Sequence, residues 1–265
     1  MPATLRRSFL LAAAVTALGA ASVAASADTI RVGVTAGPHA EILDVVRKVG
    51  AERGVDIRPV EFTDYVIPNQ ALAARELEAN SFQHEPYLRN QIAKTGWKLA
   101  PVALTIASPM GFYSQKYKSF DQLPKGATVA IQNDPSNGAR SLRLLAAGGV
   151  VTLKDPKSLS ASIADIAENP KGYTFVELDA AQLARSLPDV DAAAVNNNYA
   201  VQAGLDPVRD AILSETLDTP YVNILAVREE DKDKPWVKQL IDAYHSEPVK
   251  QFVQQRFKGA YVATW

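Results

Sequence analysis

The run Asn133-Asp134-Pro135-Ser136-Asn137-Gly138-Ala139-Arg140 places a guanidinium where an anion could be held. Ala127–Ile131 before it is a short apolar, β-rich stretch, the turn residues 133–138 follow, and Leu142, Leu145 and Ala146 recur at helical spacing. The spacing predicts strand, polar loop and helix, with Arg140 in the first helical turn. There the backbone N–H groups are unpaired and the helix dipole disfavours a cation. A bound carboxylate would resolve that conflict, because it suits both the N–H groups and the guanidinium fork. Around Arg140 the sequence offers neutral amides, Asn137, Asn196, Asn197 and Asn223, and the rings Tyr65, Phe82 and Tyr87. One cation, several amides and an aromatic set suit a small zwitterion with an apolar tail, an amino acid or a short peptide.

The elements that would position these groups alternate strand and helix almost throughout, which predicts an α/β fold with mainly parallel sheets under helical covers. Strands are expected over Thr29–Val34, Val55–Phe62, Leu99–Ile106, Thr174–Leu178, Asp191–Val195 and Tyr221–Val227. Asn69 is expected to cap a helix over Gln70–Glu78, and a helix is expected near Ser160–Glu168. The alternation pauses near Pro109–Ser114 and near Asp218–Asn223. Two lobes follow: residues 28–110 with 221–265, and residues 111–220. In open α/β sheets ligands bind beyond the carboxyl ends of strands. The clusters at 35–37, 82–87, 133–140 and 196–199 all follow predicted strands, and Asn223 falls at the second crossing, so all would line one cleft between the lobes.

Composition excludes several classes. Of 265 residues, 47% are hydrophobic and 22% charged, and the net charge is −1, so no basic footprint for nucleic acid exists. The chain has no cysteine, hence no disulfide, thiolate metal site or lipid-bearing N-terminal cysteine. Arg6 and Arg7, the apolar run Phe9–Ala21 and Ala25-Ser26-Ala27 form a cleavable signal peptide over residues 1–27, with a partial twin-arginine pattern. Its removal takes away two arginines and no acid, so −1 becomes −3. No nucleophile elbow, phosphate loop, dinucleotide fingerprint or His-Glu-x-x-His occurs. A metal-dependent hydrolase built on His39 with Glu41, and His84 with Glu85, is the alternative from another class.

The segments Phe62–Asn69, Ala79–Leu88, Asn133–Arg140 and Pro220–Ile224 closely resemble the NlpA family, the substrate-binding proteins of methionine ABC transporters. The resemblance covers the whole chain after the signal peptide. It implies a two-lobed periplasmic-binding fold of type II, no catalysis, no cofactor and no metal. It also implies a methionine or related small apolar amino-acid ligand, with a short dipeptide as the alternative within the family. A monomer docking on a membrane permease is expected. By that resemblance Arg140 grips the ligand carboxylate and Asn223 contacts the ligand. Tyr65, Phe82 and His84 line the side-chain pocket, and Asn196, with Asn197 beside it, follows a late strand. Family members are commonly lipoproteins; without cysteine this chain is expected to be a free periplasmic protein.

Overall fold

A computed structural model describes residues 29–265; the expected signal peptide lies outside the described residues. The chain opens with β1 (Ile30–Thr35), α1 (Pro38–Glu52), β2 (Ile57–Phe62), α2 (Ile67–Ala73), β3 (Ala79–Asn80), α3 (Glu85–Thr95) and β4 (Leu99–Leu104). It continues through β5 (Ile106–Ala107), β6 (Gly111–Tyr113), β7 (Thr128–Gln132), α4 (Pro135–Ala147), β8 (Thr152–Leu153) and β9 (Ile166–Glu168). Then come β10 (Thr174–Leu178), α5 (Ala180–Ser186), β11 (Ala192–Val195), α6 (Asn197–Gln202) and β12 (Leu213–Ser214). β13 (Ile224–Arg228), α7 (Pro235–Tyr244), α8 (Glu247–Phe257) and β14 (Val262–Ala263) finish it.

Two five-stranded sheets result, ordered β2-β1-β3-β13-β4 and β10-β7-β11-β6-β12. In each, four strands run one way and one runs against them: β13 pairs antiparallel with β3 and β4, and β6 with β11 and β12. Those two reversed strands are the ones that enter a sheet directly after the chain has come from the other. β4 lies at a sheet edge, where Pro101 deprives no inner ladder of a donor.

Helices cover both faces of both sheets, so the central strands are apolar on both sides. Along β13, Leu225 and Val227 pack with α1, α7 and α8, while Ile224 and Ala226 pack with Leu72 of α2 and Leu88 of α3. Along β11, Ala192 and Ala194 face Leu142 and Leu145 of α4, while Ala193 and Val195 face Leu183 of α5 and Ala200 of α6. The two-residue alternation of a strand assigns each residue to its layer.

The helix that carries Arg140 begins earlier than its sequence suggests, inside the run 133–138 expected to be a loop. Asp134 is its N-cap, with Oδ1 accepting from the Asn137 N–H at 2.9 Å, and Pro135 occupies the first turn. Gly138 lets α4 approach β7: a Cβ there would lie 2.9 Å from the Gln132 carbonyl oxygen. Gly138→Ala should therefore destabilise the protein by about 1–2 kcal/mol, overpacking outweighing the roughly 1 kcal/mol that alanine gains in helix propensity. Urea denaturation reads this, and an alanine variant as stable as the native protein would show that α4 is free to move off the strand.

Three expectations need correction. Ser160–Glu168 is one 3-10 turn, Ile163–Asp165, running into β9, which pairs with β8 as a hairpin. Asn69 does not cap α2 but lies inside it, buried, with Oδ1 accepting from Asn80 and Gln83; Asp64 takes the N–H groups of Val66 and Ile67 instead. Arg140 is the sixth residue of α4, beyond its first turn, and its charge is already matched within the chain.

Candidate functional site

A narrow cavity lies between the two sheets. It is lined by all nine residues singled out in the sequence: Arg140, Asn223, Asn196, Asn137, Tyr65, Phe82, His84, Tyr87 and Asn197. Gln83, Ser108 and Asn198, not singled out as ligand contacts, and His39, named only for the metal-dependent alternative, complete the wall.

The amides divide into two groups by how their polar atoms are used. Asn137 Oδ1 accepts from Asn196 Nδ2 at 2.9 Å and from His84 Nε2–H at 3.2 Å, and its Nδ2 donates to Asp134 Oδ2. Asn196 Oδ1 accepts from Gln132 Nε2 at 2.8 Å. These two residues form a fixed wall whose hydrogen-bonding capacity is largely engaged within the protein. Asn197 and Asn198 differ. Asn197 donates from Nδ2 to the Ala260 carbonyl, and its Oδ1 is buried with no partner. Asn198 accepts from the Tyr65 hydroxyl, and its Nδ2 is buried with no partner. Of the buried side-chain polar atoms without a partner among the described residues, these two alone belong to residues that line the cavity, where a polar ligand would satisfy them. Asn223, outside β13, donates only weakly, to the Phe82 carbonyl at 3.4 Å.

Both histidines of the cavity are neutral. His84 is the N-cap of α3; its Nδ1 accepts from the Tyr87 N–H at 3.2 Å, which leaves Nε2 to carry the proton given to Asn137. Burial, with the nearby Arg140 charge, lowers its pKa to about 3. His39 Nδ1 lies 3.3 Å from the Ser81 carbonyl oxygen, so Nδ1 is the donor and Nε2 an acceptor. Burial lowers its pKa to about 4. The His–Glu metal set considered above does not assemble: Glu41 pairs with Arg256 and Glu85 with Arg89. No group of three or more potential metal-ligating side chains occurs among the described residues.

The apolar side of the cavity is a ring cluster. Tyr65 lies 5.9 Å from Phe82, 6.1 Å from Tyr87 and 5.1 Å from Tyr199 between centroids. The Tyr87 hydroxyl donates to the Tyr65 backbone carbonyl at 2.9 Å, which orients the Tyr87 ring, and the Tyr65 ring is held by its own hydroxyl on Asn198.

Arg140 is buried and carries most of the site's charge. Its Nε and Nη2 donate to Glu215 at 2.8 and 2.5 Å, and Nη2 also to the Ser108 carbonyl at 3.0 Å; Nη1 makes no hydrogen bond among the described residues. The anion inferred to relieve Arg140 is thus partly supplied by the chain itself. Glu215 escaped sequence reading because its partner is distant in sequence and nothing local marks it.

The sheets are joined across the cavity and at its rear. Tyr65 to Asn198, Tyr199 to the Thr63 carbonyl, His84 to Asn137 and Gln202 to the Ala36 carbonyl span the front. At the rear the two connecting segments run side by side: the Thr105 N–H donates to the Asn223 carbonyl and the Asn223 N–H to the Ile106 carbonyl.

Two α/β sheets, paired connections and a cavity enclosed between them define a two-lobed solute-binding protein, in the arrangement expected from the sequence. The chain belongs to the NlpA lipoprotein family, whose family model matches residues 30–265. It is 45% identical over 239 residues to the D-methionine-binding lipoprotein MetQ of Salmonella typhi, covering 89% of this chain and 88% of that one. Among solved structures, a nutrient-binding protein of Burkholderia cenocepacia bound to methionine is 51% identical with a TM-score of 0.88, over 89% of this chain and all of that one. A periplasmic substrate-binding protein of an ABC transporter from Coxiella burnetii is 45% identical with a TM-score of 0.86, over the same share of this chain and all of its own. The lipoprotein names run against the expectation of an unlipidated protein, which rested on the absence of cysteine from the sequence. No described helix is long and apolar enough to cross a membrane.

Proposed function

We propose that this protein is the extracytoplasmic receptor of an ABC importer and closes on methionine or a related small apolar amino acid. The observation that carries the reading is the set of unused polar atoms around the cavity. Arg140 Nη1 and Asn198 Nδ2 are donors for a carboxylate; Asn197 Oδ1 and His39 Nε2 are acceptors for an ammonium group. Tyr65, Phe82 and Tyr87 surround an apolar side chain. Asn137, Asn196 and His84 hold this set in place, and Asn223 adds its amide from the second connection. The methionine-bound relative and the methionine-binding lipoprotein support the choice of ligand.

The lobes are taken as residues 28–110 with 221–265, and residues 111–220, hinged at the two connections. Ligand contacts to both lobes favour the closed state over the open one by their difference in affinity. A monomer in the closed state would then dock on its permease. Calorimetry with methionine and glycine tests the reading. Methionine should bind tightly and glycine poorly, and Phe82→Ala should weaken methionine by about 2–4 kcal/mol, as for a truncated buried ring. Equal binding of glycine and methionine would show that no apolar pocket selects the side chain.

A further inference from the structure

Glu215 follows β12 on the chain's way back to the first sheet, and its side chain is only 11% exposed. Besides Arg140 it takes the Met110 N–H at 2.9 Å on Oε2, and its own N–H donates to the Met110 carbonyl at 3.0 Å. The guanidinium carbon of Arg140 lies 4.7 Å from the centroid of the Tyr221 ring, and that ring packs at 5.0 Å on His84. Both connecting segments therefore grip Arg140, one through the Ser108 carbonyl, the other through Glu215 and Tyr221, and Met110 of the first holds Glu215 in place. The edge of the guanidinium formed by Nε and Nη2 is committed to the chain. Among the described residues, Nη1 makes no hydrogen bond.

The charge balance follows. Arg140 and Glu215 together are neutral, so a zwitterion leaves the cavity neutral. A carboxylate without an ammonium group would put two negative charges on one buried guanidinium, and like charges at such range in a poorly screened site repel strongly. We propose that Glu215 is a specificity-determining residue. By holding the Nε–Nη2 edge of Arg140 and cancelling its charge, it makes the site accept net-neutral amino acids and reject plain carboxylates. The proposal rests on the receptor reading above.

The test compares methionine with its des-amino analogue, γ-methylthiobutyrate, by calorimetry on the native protein, Glu215→Gln and Glu215→Asp. The native protein should bind methionine and discriminate strongly against the analogue. In Glu215→Gln the cavity gains a positive charge, and the preference for methionine should fall about tenfold or more. Glu215→Asp, which keeps the charge, should retain most of the preference. A purely structural role would weaken both ligands in Glu215→Gln by the same factor, and an unchanged ratio overturns the proposal while leaving the receptor reading intact. A native protein that binds neither ligand removes the reading and the proposal with it. Should Glu215→Gln not fold, a structure of the native protein with methionine decides. The ligand carboxylate is expected at Nη1 with Glu215 still on Nε and Nη2; a ligand that displaces Glu215 from that edge overturns the proposal.

Discussion

Arg140→Ala should reduce methionine affinity by three orders of magnitude or so. If the ligand carboxylate meets Arg140 inside the closed cavity, removing the arginine leaves a buried anion unpaired, which typically costs about 3–5 kcal/mol, roughly 10²–10³ or more in affinity. Arg140→Lys should restore little, because an ammonium cannot serve Glu215, the Ser108 carbonyl and a ligand carboxylate in one planar fork. Stability should change as well. Arg140 pairs with a Glu215 that is 11% exposed, so its loss also strands that carboxylate in the ligand-free protein. The two effects separate in Arg140→Met/Glu215→Leu, which buries no lone charge: ligand-free stability should return toward native, while binding stays lost. Calorimetry for affinity and urea denaturation for stability read both, and an Arg140→Ala protein with native methionine affinity would place the carboxylate elsewhere.

The parts of this design that are local were legible in the sequence. Glu85-Pro86 announces the start of α3, and the apolar runs that became β7 and β11 need no distant partner to be read; the start of α4 at Asp134-Pro135 reads as part of a loop, because its turn-forming residues are also cap residues. Errors arose where the deciding contact is remote. Ser160–Glu168 has a helical apolar spacing, yet Asp165 closes one turn by accepting the Ser162 N–H, and β9 then pairs with β8. Asn69 has the residue type of a cap but satisfies its amide with Asn80 and Gln83. The same holds within the site. Four asparagines could be placed near one another from their positions after strands and at the second connection, but not sorted by use. That sorting depends on which of them meet each other, as Asn137 and Asn196 do, and which keep an atom unpartnered, as Asn197 does.

Acid should destabilise the ligand-free protein steeply, and from a higher pH than carboxylate protonation alone would predict. Burial lowers His39 from 6.5 to about 4 and His84 from 6.5 to about 3. A histidine whose folded pKa lies below its unfolded one takes up a proton on unfolding. Its neutral, buried form therefore supports full stability above about pH 6.5 and loses it as the pH falls toward the folded value. Each such group changes stability by about 1.4 kcal/mol per pH unit within its window. Two of them acting together from pH 6.5 to 4.5 remove roughly 5 kcal/mol, comparable to the whole stability of many domains. Glu78 and Asp231, whose carboxyls are held below their ordinary range by Arg31 and by Lys234 with Arg228, add to the loss only at lower pH. Replacing one histidine should halve the dependence. His84→Asn suits the test because asparagine is a good N-cap and can still accept the Tyr87 N–H. Urea midpoints at pH 7.5 and 5.0 measure the effect, with native protein losing about twice as much as His84→Asn. A native midpoint that does not move between those pH values would show that neither imidazole is held neutral in the cavity wall, and with it the assignment of His39 Nε2 as an acceptor for the ligand would fall.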